Sequence, residues 1–492
     1  MNELYQIPPV PRFPIGKGEL LFGGSLLVCC VFLWNCILYG GFHLGFALGY
    51  IAVTVCSCMY LMTRGYGFDR YSGSLILLSL IIAVGFGRSS DGFVKLVMLF
   101  FLIFATNLGF CLAAKQNYRS PGGIGSALDA PRAFFVLGIG GMGASARGLS
   151  DARKAAGTAG KQTMAALLGI LTAVPVMLLL VRLLIRADAA FQGLMELLPE
   201  PNWREPLYSL AMGCLACWIL FSRNLGLRYG KKKEAEGSVF PGISAITVNI
   251  ILGAVCLVYL VYLFSQLAYL SGGLSGILPE GYTLAQYARR GFFEMAWLSA
   301  INLGLMCLSV GLVEKKRKIW LTKIGCLFLG LVTLFLITAA SAKMLLYIGS
   351  YGLTRLRVLT QVIMVWLAIT TVLVCVWLVK PGFAYMKAVV LTALVIGAAV
   401  LWVDVDTQVA RYNVRAYQAG QLQTVDVPHL RSLGYGAIPY LEELTHSSDP
   451  AVANSAAQGL RRYGEISDFR DWNWAEAQAR KILEAWQTEP ES

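Results

Sequence analysis

The sequence predicts an all-α protein, in which a polytopic transmembrane helix bundle of about 11 helices precedes a small C-terminal soluble helical domain. Three observations support this fold class. Hydrophobic residues make up 57% of the 492 residues and charged residues only 14%, whereas about 25% of residues are charged in an average soluble domain. Apolar segments of about 20 residues, the length that crosses a bilayer, recur as far as Val403. The sequence after Val403 is polar and acidic.

The chain divides into three predicted regions. Residues 1–18 form an N-terminal arm, which we expect to be extended because four prolines interrupt it and because it lacks the features of a signal peptide. Residues 19–403 form the transmembrane domain, and residues 404–492 form the soluble helical domain. The apolar segments of the transmembrane domain are 20–39, 43–62, 74–86, 93–114, 164–184, 207–221, 243–270, 292–313, 319–339, 360–379 and 384–403. The third and sixth are short for a span, and one miscounted helix would move the tail across the membrane.

The basic residues indicate how the bundle is oriented. The formal net charge is +13, but the tail after Val403 carries 13 acidic and 8 basic residues. The basic surplus therefore belongs to the membrane part, where it concentrates in alternate loops such as 115–161, 231–233 and 315–318. The positive-inside rule then predicts a cytoplasmic N-terminus and, after an odd number of spans, an extracytoplasmic tail. Because the surplus lies beside the membrane, we do not expect nucleic acid as a partner.

Residues that would indicate catalysis, a metal or a cofactor are scarce. The twelve cysteines all lie in or next to apolar segments, and the three histidines, His43, His429 and His446, show no ligand spacing. The glycines of segment 138–143 match the dinucleotide-binding pattern, but their flanks supply no strand and helix, so we predict close packing of a re-entrant or interfacial segment. Neither a phosphate-binding loop nor a nucleophile elbow is present. We therefore predict no catalytic residue, no metal and no cofactor.

The tail is predicted to be a small helical bundle. Asp449 and Pro450 form a helix start, the helix runs over 451–463, and Gly464 ends it. Together with segment 433–444, this helix resembles one repeat of the HEAT type. A single repeat cannot bury its own apolar stripe, so we expect helices over 407–418 and 472–486 to close the bundle.

A candidate site lies on the outer side of the membrane, where the positive-inside rule disfavours arginine. The charged residues predicted to meet there are Arg289, Arg290, Glu294, Lys343, Arg355 and Arg357. In one interpretation Arg290 pairs with Glu294 and the other cations pair with the acidic tail, which docks the tail to the membrane. In a second, the guanidinium groups bind an anion such as a lipid phosphate or carboxylate. In a third, Glu294 is a titratable group in a transport path.

Amides inside the spans are predicted mostly to form interhelical hydrogen bonds. Asn302 differs because it lies two turns from Glu294, near the same helix face. We predict that Asn302 and Gln266 line a cavity shared with this carboxylate.

Several segments resemble a bacterial polytopic membrane protein family of unknown function, domain of unknown function 4173, which is similar to domain of unknown function 4153. The segments that carry the resemblance are 287–294, 351–357, 410–414, 433–444 and 471–473, in order along the second half of the chain. The resemblance implies a polytopic inner-membrane protein with this tail, but it implies no reaction. It adds Arg411 and Asn413 of the tail to the residues of interest.

Two functions are compatible with these observations. The first is a membrane scaffold or signalling component, whose tail contacts an envelope protein partner or its own arginine-bearing face. The alternative is a transporter or lipid-handling protein, which binds an anionic group of a membrane lipid with the arginine and glutamate cluster. An envelope enzyme ranks third, because the sequence offers no nucleophile or metal-binding set.

Overall fold

A computed structural model describes residues 12–118, 124–155, 162, 177, 180, 183–184, 186–188, 204–230, 243–273, 292–313, 319–461 and 469–488. The predicted all-α fold class is confirmed: the described part of the chain folds into helices, and nine of them are long and apolar enough to cross a membrane. The protein is thus a multi-pass membrane protein. Most of the predicted span 164–184 lies outside the described residues.

Four apolar helices come first among the described residues, and most of the predicted N-terminal arm, residues 1–11, lies outside them. The helices are α1 (Lys17–Gly40), α2 (Leu44–Thr63), α3 (Arg70–Gly85) and α4 (Gly92–Ala113). Aspartates cap two of them: Asp69 accepts a hydrogen bond from the Ser72 amide at 2.8 Å, and Asp91 accepts one from the Phe93 amide at 2.8 Å. The cap at Asp69 starts α3 one turn before the predicted segment, although α3 remains shorter than the other three.

The glycine-rich segment folds between α4 and the next membrane helix. It comprises α5 (Asp129–Arg132), a π-helical stretch (Ala133–Ile139) and α6 (Met142–Ala155), and it packs on α7 (Arg204–Tyr229). A Cβ at Gly138 would lie 3.2 Å from Ile219, and Ser145 shares a 2.7 Å hydrogen bond with Ser222. The glycine therefore serves close helix packing, as predicted, and helix stands where a dinucleotide site would need a strand.

The second half of the membrane domain contains five helices. They are α8 (Ala245–Gly273), α9 (Phe292–Leu312), α10 (Trp320–Tyr351), α11 (Arg355–Val379) and α12 (Tyr385–Val403). The predicted ends of two spans were wrong, because α7 continues past residue 221 to Tyr229 and α10 continues past residue 339 to Tyr351. Lys343 therefore lies inside α10 and not beyond it.

The tail contains α13 (Val405–Gln418), α14 (Val427–Arg431), α15 (Ile438–Thr445), α16 (Pro450–Leu460) and α17 (Trp474–Thr488). As predicted, Asp449 caps α16, and its carboxylate accepts from the Ala451 amide at 2.9 Å. The described helix ends at Leu460, and the predicted stop at Gly464 lies outside the described residues. The apolar faces of α15, α16 and α17 bury Leu441, Ala456 and Ala479 completely, so these helices close on one another.

The tail packs directly onto the membrane helices. Its core is continuous with the core formed by α2, α3, α4 and α12. Backbone hydrogen bonds also connect the tail to α2 and to the α3–α4 connection. The Leu44 amide donates to the Trp472 carbonyl at 3.3 Å, and the Trp474 amide donates to the Gly87 carbonyl at 2.9 Å. At the opposite end of the bundle, Glu19 of α1 pairs with Arg64 at 3.0 Å. The start of α1 and the tail thus lie at opposite ends of the helices.

Candidate functional site

A buried ion-pair cluster joins the tail to the membrane helices, and Arg355 is at its centre. Arg355 begins α11, and its guanidinium binds both carboxylate oxygens of Asp406, with Nε 2.7 Å from Oδ1 and Nη2 2.8 Å from Oδ2. Its Nε also lies 2.8 Å from Oδ2 of Asp91, the cap of α4. Both carboxylate side chains are almost inaccessible, at 0% and 1% exposure. One guanidinium therefore connects α4, α11 and α13 by charge-assisted contacts.

Asp404 adds a third buried carboxylate. It is the single residue between α12 and α13, and its φ of 53° lies in the left-handed region that non-glycine residues seldom adopt. This conformation turns the chain from the last span directly into the tail, and Thr407 donates to the Asp404 carboxylate at 2.6 Å. Burial raises the pKa of Asp404, and burial also raises the pKa of Asp406 to about 6 although Arg355 opposes it.

His43 and Lys95 border the same cluster. Lys95 lies one turn beyond Asp91 in α4 and is only 3% exposed, and its Nζ is 3.2 Å from Nδ1 of His43. Burial and the neighbouring ammonium lower the pKa of His43 to about 4. The imidazole is therefore neutral near pH 7, and Nδ1 accepts the hydrogen bond from Lys95. His43 occupies the N-cap position of α2 without a capping hydrogen bond from its side chain, and it lies half-buried beside the cluster.

Asn413 of the tail and Arg357 of α11 hold the turn between α10 and α11. Asn413 of α13 accepts from the Leu353 amide at 2.7 Å and donates to the Leu353 carbonyl at 2.8 Å. Arg357 donates to the carbonyls of Tyr351 and Gly352, and these are carbonyls that the end of α10 leaves unpaired. Both side chains satisfy backbone groups of the turn, which fixes the position of α13 against it.

The remaining predicted site residues lie apart from this cluster or outside the described residues. Arg289, Arg290 and the side chain of Gln266 are outside them. Glu294 is exposed in the first turn of α9. Lys343 lies eight residues before the end of α10, which places it about 12 Å along the helix from the turn that precedes Arg355. Asn302 is buried and hydrogen-bonds to Tyr259 at 3.0 Å and to Thr333 at 3.1 Å, so its amide joins α9 to α8 and α10.

The sequence of residues 72–444 matches a protein family described as Domain of unknown function (DUF4153). The chain belongs to this family. No curated protein and no solved structure matches it. The matched range of this DUF4153 protein contains Asp91, Arg355, Asp404, Asp406 and Asn413, and therefore most of the ion-pair cluster.

The membrane bundle of this DUF4153 protein buries a further charged residue that the sequence did not indicate, Arg223. Arg223 follows the predicted apolar segment 207–221, but the longer α7 carries it into the bundle, where it is 3% exposed. Its guanidinium donates to Asn107 at 3.3 Å and to Ser57 at 3.4 Å, and it lies 4.8 Å from the ring centre of Phe110. The predicted apolar segment ends at residue 221 because the polar residues Ser222, Arg223 and Asn224 follow it. The burial of Arg223 is explained only by its partners on α2 and α4.

The described residues contain no group of three or more His, Cys, Asp or Glu side chains arranged to hold a metal ion. Three carboxylates and three cations, Arg355, Lys95 and Arg88, lie within electrostatic reach of one another at the junction of tail and bundle. Such an arrangement holds two parts of a protein in a fixed relation and responds to protonation.

Proposed function

We propose that this DUF4153 protein is a non-enzymatic scaffold or signalling component of the bacterial inner membrane, whose tail is a rigid platform for an envelope protein partner. The observation that carries this proposal is the double ion pair of Arg355 with Asp406 and Asp91. In this double ion pair the guanidinium of Arg355 attaches the tail to the membrane helices. This is the arrangement expected if the cations at the membrane pair with the acidic tail. The same contacts occupy Arg355 and leave it poorly placed to bind a substrate anion.

Three further features support a rigid platform. The tail follows the last span after one residue, Asp404, so no flexible linker separates them. The buried core of the tail continues into the membrane helices. Asn413 adds two backbone hydrogen bonds to the α10–α11 turn. A domain held by a continuous core and buried charges moves little relative to its neighbour, which suits presentation of a binding surface.

The proposed sidedness rests on the basic residues at the two ends of the bundle. The end opposite the tail carries exposed or half-exposed bases with few acids, among them Lys17, Arg64, Arg147 and Lys380. At the tail end, Arg355 is engaged by carboxylates. The positive-inside rule favours a cytoplasmic location for the first end and an extracytoplasmic tail.

Cysteine labelling of intact cells tests the sidedness. The tail lacks native cysteines, so Ser448→Cys, at an exposed position before α16, gives it a single thiol. Gly382→Cys, in the exposed α11–α12 connection at the other end, is the matched control. We expect a membrane-impermeant maleimide to label Ser448→Cys from outside, above the background of the wild type, and Gly382→Cys only after lysis. The opposite pattern would refute an extracytoplasmic tail.

The partner proposal is tested by photo-crosslinking in cells. A photoreactive residue at the exposed Asn454 of α16 is expected to give one discrete protein adduct. Arg355→Ala should reduce this adduct strongly, because it releases the tail from the bundle, whereas Arg480→Ala, on the exposed surface of α17, should not. Adducts with lipid alone, at unchanged yield in both variants, would contradict a docked platform.

The transporter or lipid-handling alternative is favoured by one observation. Arg223 is buried in the bundle and forms no ion pair with an acidic side chain of the described residues. Intramembrane charges of this kind often mark a substrate or ion path. Uptake or lipid transfer by the purified protein in liposomes, lost in Arg223→Gln, would support the alternative over the scaffold.

A further inference from the structure

A basic groove lies where the tail meets the end of the membrane helices. It is an open depression of about 470 Å³ between α13 and the α10–α11 turn. Its polar and large lining residues are Leu353, Gln408, Arg411, Tyr412, Arg415 and Gln421, and the lining contains no acidic residue. The groove therefore offers two guanidinium groups, two amides and one phenol without a built-in counter-charge.

The two arginines are held by a fixed helix. Arg411 and Arg415 lie one turn apart on the exposed face of α13. The opposite face of α13 is buried through Val409, Asn413 and Val414, and Asn413 pins it to Leu353 of the groove wall. Although both side chains are exposed, their backbone positions do not depend on a flexible loop.

No acidic side chain of the described residues compensates the charges of these two arginines. Neither Arg411 nor Arg415 forms an ion pair with an acidic side chain in the described part of the chain. Arg355, by contrast, lies 2.7 Å and 2.8 Å from two carboxylates. In a tail with 13 acidic and 8 basic residues, an acid-free groove with two unpaired arginines is positioned for an external anion.

The groove adjoins the ends of membrane-spanning helices. Its wall residue Leu353 belongs to the turn that joins two membrane-spanning helices. Beside this turn Leu356 is 70% exposed and Tyr351 51% exposed, and Trp402 at the end of the last span is 42% exposed. Exposed aromatic and apolar side chains at span ends lie at the membrane–water interface. A headgroup in this leaflet is therefore adjacent to the two guanidinium groups.

We propose that the groove binds the phosphate group of an anionic phospholipid. Guanidinium groups bind phosphate through paired charge-assisted hydrogen bonds, which lysine cannot form in the same geometry. Gln408, Tyr412 and Gln421 supply further donors for the headgroup oxygens. Free phosphate offers the same chemistry, but the neighbouring exposed Leu356 and Tyr351 provide an apolar surface that only a lipid would use. The proposal goes beyond a scaffold function and does not depend on which side of the membrane carries the tail.

Native mass spectrometry of the purified full-length protein with added phosphatidylglycerol or phosphatidylcholine tests the proposal. We expect Arg411→Gln/Arg415→Gln to weaken phosphatidylglycerol binding at least about tenfold, because two charge-assisted contacts are lost. Arg411→Lys/Arg415→Lys, which keeps both charges, should lose part of the affinity. The matched control is Arg480→Gln/Lys481→Gln, which removes the same charge from exposed positions of α17 and should bind like the wild type. Because the exchanged side chains are exposed, an unchanged melting temperature verifies that the variants fold.

The outcomes separate a lipid from free phosphate and from general attraction. Unchanged phosphatidylglycerol binding in the groove variant, or an equal loss in the α17 control, would overturn the proposal. Equal binding of phosphatidylcholine would overturn the requirement for an anionic headgroup. Inorganic phosphate at millimolar concentration is the third probe. If it raises the melting temperature of the wild type but not of the groove variant, and phosphatidylglycerol binding is unaffected by the substitutions, the ligand is free phosphate and the lipid proposal fails.

Discussion

Arg355 of the eleventh helix binds both carboxylate oxygens of Asp406 in the tail, at 2.7 and 2.8 Å. The two residues are 51 positions apart in the chain and come together where two membrane helices and the tail meet. Because Asp91 shares the same guanidinium, removal of the arginine leaves two buried carboxylates without their main counter-charge. The consequences of this arrangement for stability and for pH dependence can be measured.

Arg355→Ala is expected to destabilise the protein more than Asp406→Ala. Removal of one partner from a buried ion pair costs on the order of 3 kcal/mol, since the remaining charge stays buried without compensation. In Asp406→Ala, Asp91 still pairs with the guanidinium, so the loss is smaller. Unfolding in detergent, followed by intrinsic fluorescence, measures the difference.

The control for this comparison is Arg480→Ala. Arg480 lies 3.6 Å from Glu484 on the surface of α17, and both side chains are more than half exposed. Such a pair contributes less than about 1 kcal/mol. An Arg355→Ala variant no less stable than Arg480→Ala would show that the cluster does not hold the tail.

Protonation of Asp406 is predicted to stabilise the folded protein as the pH falls. Burial raises the pKa of Asp406 to about 6, above its ordinary value of 3.8, so the folded state binds the proton more tightly than the unfolded state. The resulting stability is fully present below the ordinary pKa and is lost as the pH rises through 6. Protonation of His43 has the opposite effect on stability, so the prediction is made for His43→Gln. In this variant the melting temperature should rise as the pH is lowered from 7 to 5. The additional substitution Asp406→Asn should reduce this rise and leave the smaller part that comes from the raised pKa of Asp404, whereas an undiminished rise would exclude Asp406 as its origin.

His43 is predicted to have the opposite effect. Burial and the proximity of Lys95 lower the pKa of His43 from 6.5 to about 4, so the unfolded state takes up the proton first. Its contribution to stability is present above pH 6.5 and is lost as the pH falls towards 4. In Asp406→Asn the melting temperature at pH 4.5 relative to that at pH 6.5 should accordingly be lower than in Asp406→Asn/His43→Gln, since Asp404 contributes equally to both variants. The same pH dependence in both variants would contradict a neutral imidazole at His43.

Gly352→Ala is expected to disrupt the turn that supports α13. Gly352 has a φ of 74°, which disfavours any residue with a Cβ, and that Cβ would lie 2.6 Å from Oδ1 of Asn413. We expect a loss of about 1–3 kcal/mol from backbone strain and from displacement of the Asn413 amide. The matched control is Gly349→Ala in the last turns of α10, where a Cβ meets no atom within 4 Å and alanine favours the helix. Equal melting temperatures for the two variants would argue against a tight contact between the turn and α13.

Much of the fold followed from the sequence, because long apolar segments and capping residues act locally. The membrane helices and the start of α16 at Asp449 are of this kind. The ends of helices were less predictable where a polar residue is buried and forms hydrogen bonds with residues that are distant in the sequence. Arg223 ended a predicted span, yet Asn107 and Ser57 of other helices accept its hydrogen bonds and keep it inside.

The candidate site could be predicted only in outline. Pairing of the arginines with tail carboxylates was one of three interpretations of the predicted site, but nothing local distinguishes Asp406 from the other acids of the tail. Lys95 gave a weak signal as a charge one turn after a capping aspartate, and His43 gave none, because their contact joins two separate helices. Pairings of this kind depend on tertiary geometry.

Hydrogen–deuterium exchange of the full-length protein tests the docking of the tail most directly. In the wild type we predict slow exchange of the amides of α13, Val405–Gln418, because Arg355 and Asn413 hold this helix against the membrane domain. In Arg355→Ala the exchange of α13 should accelerate at least about tenfold, while that of the membrane-spanning α10, Trp320–Tyr351, stays unchanged. Wild-type exchange rates throughout α13 in Arg355→Ala would contradict the account, because the ion pair would then not fix the tail.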